Sequence, residues 1–320
     1  MYYENEWLLF RNNYISKTEF FEGRKRIVMS NSLIKREFTT WPDFATVNIL
    51  NETTGESFSR GIKPELLLTI DGKEYPVGGA LGQPDYAYLK EEWLGGMTKN
   101  SDGFNYVSHS AYKPEKPFRW NKNKRHNTAH PHLGNASGLA VVFESSNPVL
   151  IGLRVIIYYE MYDNIPLMSK RFEIINNGNM GITLNSFAGE IIALSEHEYV
   201  GVVGYKLYKT SDDYINARNI TVMSDFNTVL TDTTYFEIDP QYPTQVDYMS
   251  KYKCLLVSKP PIGPHKRLDK GQRFKSFNTY VLLHEDTDRN RRSLFMKANR
   301  NSWEYINFAA KKSLTSPLKH

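Results

Sequence analysis

Apolar and polar positions alternate along most of this chain, and the apolar ones are rich in β-branched and aromatic side chains. Stretches with a 3.6-residue period are scarce, so the pattern predicts strands. It is clearest between Gly138 and Asn176, where Leu139–Phe143, Val149–Tyr162 and Leu167–Asn176 read as long strands. Asp163-Asn164-Ile165-Pro166 joins the last two, because Pro166 fixes φ and Asp-Asn suits a turn. Asn176-Asn177-Gly178-Asn179 predicts a second hairpin turn, with an Asn-Gly pair able to take positive φ, after which Ile182–Leu194 resumes the sheet.

Earlier strands are expected at Arg26–Met29, Leu33–Phe38, Phe44–Leu50, Leu66–Ile70 and Lys73–Val77, the last two closed by Asp71-Gly72. Later ones are expected at Val200–Leu207, Ile220–Leu230, Tyr235–Ile238, Lys253–Ser258 and Phe274–His284. So many strands with short turns exceed a single immunoglobulin-sized sandwich and predict an all-β fold of two large packed antiparallel sheets. Gly78–Ala136 reads as one long loop carrying Gly78-Gly79, Gly95-Gly96, Trp93 and Trp120. Its length marks it as a candidate binding loop. From Asp286 an acidic cap followed by Arg289–Arg300 predicts a short C-terminal helix. The division is therefore a sandwich over 1–285 and a helix and linker over 286–320.

The 320 residues carry a net charge of +5, with 40% hydrophobic and 23% charged residues, a balance that supports a buried core. That charge is too small and too dispersed for a nucleic-acid binder. The most apolar stretch, Val149–Tyr159, is short and contains Arg154, so no membrane span is expected. Glu4 and Glu6 stand where a secretory leader would be basic, which makes a cytoplasmic location the default expectation. A lone cysteine, Cys254, excludes an internal disulfide framework and a cysteine-based metal site.

Chemistry-bearing residues are sparse. His126, His130 and His132 have ligand-like spacing, but Pro131 prevents helical presentation and no acidic fourth ligand lies near, so they read as a polar loop. Asp286–Asn290 begins like a calcium loop, yet Arg291 replaces the required Gly and Lys297 the bidentate Glu, so neither metal nor cofactor is expected. Trp93 in Glu91-Glu92-Trp93-Leu94-Gly95-Gly96 is the best candidate. An aromatic ring on a Gly-flanked loop can stack on the C–H face of a sugar while the neighbouring carboxylates hold hydroxyls. Glu91, Glu92, Trp93 and Trp120 are accordingly the expected carbohydrate contacts.

Several segments together resemble the N-terminal β-supersandwich (galactose-mutarotase-like) domain of family 36 glycoside hydrolases, the α-galactosidase type. Arg60-Gly-Ile-Lys-Pro-Glu65, Asp71-Gly-Lys-Glu-Tyr75 and Gly78-Gly79 resemble its early hairpin. Val155–Asn177, with Tyr158-Tyr159-Glu160 and Pro166–Arg171, resembles its central strand pair. Gly271–Phe274, Ser276-Phe277 and Leu282–Arg289 resemble its last strand and the helix leading to the catalytic barrel. The resemblance implies a non-catalytic domain that assembles with a barrel or a neighbouring subunit and contributes to binding a galactoside-type sugar through Trp93. The family's catalytic Asp pair lies on a barrel that needs about 200 further residues, so no catalytic residue has a position here.

Two other classes stay open. A free-standing aldose 1-epimerase-like enzyme would need a Glu–His acid–base pair, for which His197 with Glu190 is the best local choice. A carbohydrate-binding module would use the Gly78–Ala136 loop without any partner. Finally, Trp303, Tyr305, Ile306 and Phe308 form a short apolar cluster that predicts self-association, and hence a homo-oligomer.

Overall fold

The computed structural model describes residues 13–85, 87–115, 135–195, 219–227, 232–242 and 254–283. The expected C-terminal helix, the Trp303 cluster, Val200–Leu207, the histidines of 126–132, Trp120 and His197 all lie outside them.

The chain begins with β1 (Lys17–Phe21), β2 (Arg26–Ser30), β3 (Ile34–Thr39) and β4 (Ala45–Asn51), paired in that order as a four-stranded sheet. Then come β5 (Ser59–Gly61), β6 (Leu66–Ile70), β7 (Lys73–Val77) and β8 (Asn105–Tyr112). The meander follows as β9 (Ala136–Glu144), β10 (Leu153–Tyr162) and β11 (Leu167–Asn176). After it run β12 (Ile182–Ala188), β13 (Glu190–Leu194), β14 (Ile220–Ser224) and β15 (Thr234–Glu237). β16 (Leu255–Ser258), β17 (Pro264–Leu268), β18 (Arg273–Lys275) and β19 (Thr279–Leu283) complete the described strands.

A seven-stranded sheet has the order β14-β19-β11-β10-β9-β8, with β18 also beside β11. Two further four-stranded sheets run β17-β12-β6-β7 and β15-β16-β13-β5. The fold is all-β, antiparallel and sandwich-like, as the alternation predicts. The described residues divide into four sheets where two large ones are expected, because the chain changes partner at points the periodicity does not mark. Ile182–Leu194 is one extended run in sequence, but at Gly189 it leaves β6 and β17 and joins β5 and β16.

The Asn176–Asn179 turn also differs from expectation. β11 and β12 do not pair with each other, and Gly178 does not have positive φ. The turn is knitted instead to the β9–β10 connection and to the end of β17: the Asn177 N–H donates to Gly152 O at 2.8 Å, and the Asn176 amide donates to Leu268 O at 2.9 Å. A Cβ on Gly152, which has φ +86°, would lie 2.4 Å from Gly178 Cα. Glycine is needed at both positions for backbone approach. The Asp71-Gly72 turn does match, with φ of 48° and 82°, the double positive φ of a tight hairpin. The long loop contains a strand that its polar content conceals, since β8 pairs with β9 yet buries none of its residues fully.

One apolar core draws on all four sheets, including Ile27 and Phe38 of the first and Val155 and Tyr159 of the seven-stranded one. Leu68 and Ile192 join it from the other two. Inside it sits an ionic cluster. Arg36, at an inward position of β3 between Ile34 and Phe38, donates to both Glu190 oxygens at 2.8 and 3.1 Å and to Glu65 at 3.2 Å. Lys170 on β11 donates to Glu190 at 2.9 Å and to Glu65 at 3.2 Å. Tyr159, opposite Lys170 on β10, donates to Glu65. A β-bulge completes the set: the partner of β3 jumps from Asn48 to Thr46, which turns the Thr46 hydroxyl inward to accept from Arg36 at 3.0 Å. Two cations balance two anions, each at most 3% exposed.

Removing one partner of such a cluster leaves a buried charge unpaired, at a cost of about 3–5 kcal/mol. Arg36→Met is therefore expected to lower the urea midpoint by an amount equivalent to about 3–5 kcal/mol. Arg154→Met, which breaks the half-exposed pair with Glu144, should cost about 1 kcal/mol or less. Equal losses would refute this ranking.

Candidate functional site

The outward face of the first sheet carries a cleft of about 490 Å³. Its floor comes from alternate positions of β2, β3 and β4. Ile27 and Phe38 point into the core, so Arg26, Val28 and Glu37 point out. The bulge that turns Thr46 inward puts Val47 on this face beside Asn48, and both line the cleft. A hydrogen-bonded row crosses the floor. Lys35 pairs with Glu37 at 3.3 Å, Asn48 donates to Glu37 at 3.3 Å, and Ser57 donates to Asn48 at 2.7 Å.

One wall is the Leu89–Leu94 segment, which includes most of the 3-10 turn Glu91–Gly96. The sequence gives this segment no strand alternation, so it must be tied down by others. The Leu89 N–H donates to Arg60 O at 2.8 Å, and the Gln83 side chain spans from the Ile62 N–H to Ala87 O at 2.9 Å each. Glu91 reaches across the cleft to Arg26, Nη2 to Oε1 at 2.9 Å. Of this pair the Arg26 side chain is 17% exposed and Glu91 84%.

The expected carbohydrate residues are thus separated. Glu91 lines the cleft with Leu94, whereas Glu92 is exposed beside Lys90 at 3.9 Å. Trp93 is half-buried on a small apolar cluster of Ala45, Ile62, Leu94 and Met97 and is not part of the cleft wall. In this position it anchors the lip. Glu190 is far from any such surface, 1% exposed within the ionic cluster. Burial alone would raise its pKa, but Arg36 and Lys170 outweigh that and hold it at about 2. A carboxylate so weakly basic and so enclosed is poorly suited to the proton transfer that an epimerase requires near neutrality.

No family model matches the chain, and no curated protein does. Solved structures do. Among them are α-galactosidases, some of family 36. The chain is similar to the galactosidase domain of an α-galactosidase–sucrose kinase, at 10% identity and a TM-score of 0.44, covering 84% of this chain and 42% of that one. It is similar to an α-galactosidase from Geobacillus stearothermophilus at 12% identity and 0.42, covering 84% and 41%. It is also similar to the α-galactosidase from Lactobacillus brevis at 8% identity and 0.42, covering 83% and 40%. The chain spans about two fifths of the length of these structures.

The Arg60–Glu65 segment forms ion pairs of its own. Arg60 and Lys63 converge on Asp239, Nη2 to Oδ2 at 2.6 Å and Nζ to Oδ1 at 2.7 Å, and the Arg60 guanidinium lies 3.8 Å from the Tyr242 ring centre. Burial would push the Asp239 carboxyl up, but the two cations hold it below its usual range. Cys254 is buried beside Arg60, 3.6 Å away, and burial pushes its thiol up. It is a packed side chain here, as its apolar strand predicts.

The cleft's Arg26 and Glu37 escape a sequence reading because a charged residue on an alternating strand looks the same on a solvated face as on a binding floor. Arg36 and Lys170 leave a signal: each occupies a position where the alternation calls for an apolar side chain.

Glu190 and Glu65 are both held below the ordinary carboxylate pKa: burial acts upward, and Arg36 and Lys170 override it. A depressed folded pKa contributes stability that is complete above the ordinary value of 4.5 and is lost as pH falls toward about 2. The denaturation midpoint is therefore expected to decline through that window. Asp43 and Asp225, raised by burial, act with the opposite sign near their ordinary range. Glu190→Gln should be less stable at pH 7 but show a shallower acid decline. An unchanged acid slope in that variant would remove Glu190 from this account.

Proposed function

We propose that this chain is the non-catalytic N-terminal β-sandwich domain of an α-galactosidase-like glycoside hydrolase, and that it binds a galactoside-type sugar in the cleft over β2–β4. The observation that carries the reading is the cleft itself, an open concave surface whose floor offers carboxylate, amide and hydroxyl groups in a hydrogen-bonded row, with the Arg26 guanidinium beside it. Sugar hydroxyls need such alternating donors and acceptors, and Val28 and Val47 between them supply the apolar strip that a pyranose C–H face requires. The segments that resemble the family's N-terminal domain support the same reading. They supply Glu65, Tyr159 and Lys170, which hold sheets together, and Arg60, which pairs with Asp239. In this role the domain assembles with a catalytic barrel or a neighbouring subunit that provides the hydrolytic carboxylates.

Two measurements on the 320-residue chain test this. Aryl α-galactosides should not be turned over at an enzyme-like rate. Titration calorimetry against galactosides and glucosides should give a binding heat that Asn48→Ala and Ser59→Ala reduce together. Hydrolysis by the isolated chain would overturn the non-catalytic role, and silence toward every sugar from a well-folded sample would overturn the cleft as a sugar site.

A further inference from the structure

The cleft carries charged groups that a neutral sugar does not need. Four charged side chains line it: Arg24, Arg26, Glu37 and Glu91. Glu37 is already balanced by Lys35 at 3.3 Å and by the Asn48 amide, so its charge is spent on the floor. Arg24 has no ion-pair partner among the described residues. Two guanidinium groups therefore share one remaining carboxylate, Glu91, which is paired with Arg26.

The Arg26–Glu91 contact is itself incomplete. It is a single hydrogen bond, from Nη2 to Oε1. The other amino group, Nη1, is closed off from solvent and has no hydrogen-bond partner. A buried N–H on a charged group that makes no hydrogen bond is costly, and a guanidinium fork is shaped to grip a carboxylate or phosphate with both nitrogens at once. Arg26 is held by its strand and its surroundings, while Glu91 extends from an exposed turn and is free to swing away. Exposed ion pairs contribute little stability, so the exchange of one anion for another is cheap.

We infer that Glu91 occupies the place of a ligand anion, and that the cleft takes a sugar bearing a carboxylate or phosphate group, which displaces Glu91 and bridges Arg26 to Arg24. This inference rests on the sugar-binding reading above and names the ligand class of that site. The floor row of Asn48 and Ser57 meets the hydroxyls, and the two arginines at the β1–β2 end meet the charge.

The test is calorimetry on the full chain with D-galacturonate, its uncharged methyl ester, galactose, galactose 6-phosphate and inorganic phosphate. The acid or the sugar phosphate should bind about tenfold more tightly than the ester or galactose, because a charge-assisted bidentate contact is added. That gain should shrink as sodium chloride is raised. It should be lost in Arg26→Gln and weakened in Arg24→Gln, an exposed position where folding is not at issue. Glu91→Gln should bind the anion more tightly, since the competing carboxylate is gone. Equal affinity for acid and ester, or a loss of anion binding in Glu91→Gln, would overturn the inference and leave a neutral-sugar site standing. If inorganic phosphate bound as tightly as the sugar phosphate and galactose gave no heat, the arginine pair would stand as an anion site and the sugar reading would fall instead.

Discussion

Four charges shut away from water set the terms on which the sheets of this protein can meet. Arg36 comes from the first sheet, Lys170 from the seven-stranded sheet, Glu190 from the sheet of β13, and Glu65 from the entrance to β6. Each sheet brings one member, and no two adjacent strands of one sheet could neutralise the cluster alone. A buried charge without its counterion is far more costly than a missing apolar contact. The cluster therefore penalises any packing in which one sheet is rotated or slipped, while the surrounding apolar core supplies the drive to collapse.

The same strands build the cleft. Because side chains alternate across a strand, the face of β3 opposite Arg36 presents Lys35 and Glu37 to the outside. The bulge in β4 serves both faces at once, turning Thr46 toward Arg36 and Val47 toward the cleft. A one-residue irregularity thus couples the buried cluster to the surface site. The lip is held more loosely, by the Gln83 tether and by Trp93 on its small apolar cluster. Arg60 and Lys63, meeting Asp239, fix the start of the same lip from below.

Much of the strand placement was legible in the residues. Periodicity and turn residues located the long meander strands, β2 to β4 of the first sheet and the Asp71-Gly72 hairpin, each of which depends on contacts close in sequence. Of the segment Glu91–Gly96, Glu91 and Leu94 border the cleft. The role of Trp93 as an anchor and the Arg26 side of the cleft were not legible. Short strands such as β1, β5 and β17 gave too few alternations to stand out, and β8 was hidden because none of its side chains is fully buried.

By itself, then, the amino-acid sequence determined that this chain makes antiparallel strands and where some of their turns fall, Asp71-Gly72 among them. Those properties follow from backbone preference, residue chemistry and neighbours a few positions apart. Only the tertiary structure decided which sheets the strands join and what the charges do. Arg36 and Glu190 are 154 positions apart, and a lysine or glutamate on an alternating strand reads identically whether water or another sheet lies in front of it. The counterion, the depth of burial and the wall of a cleft all arrive from distant segments, so burial and charge compensation exist only once the chain has folded.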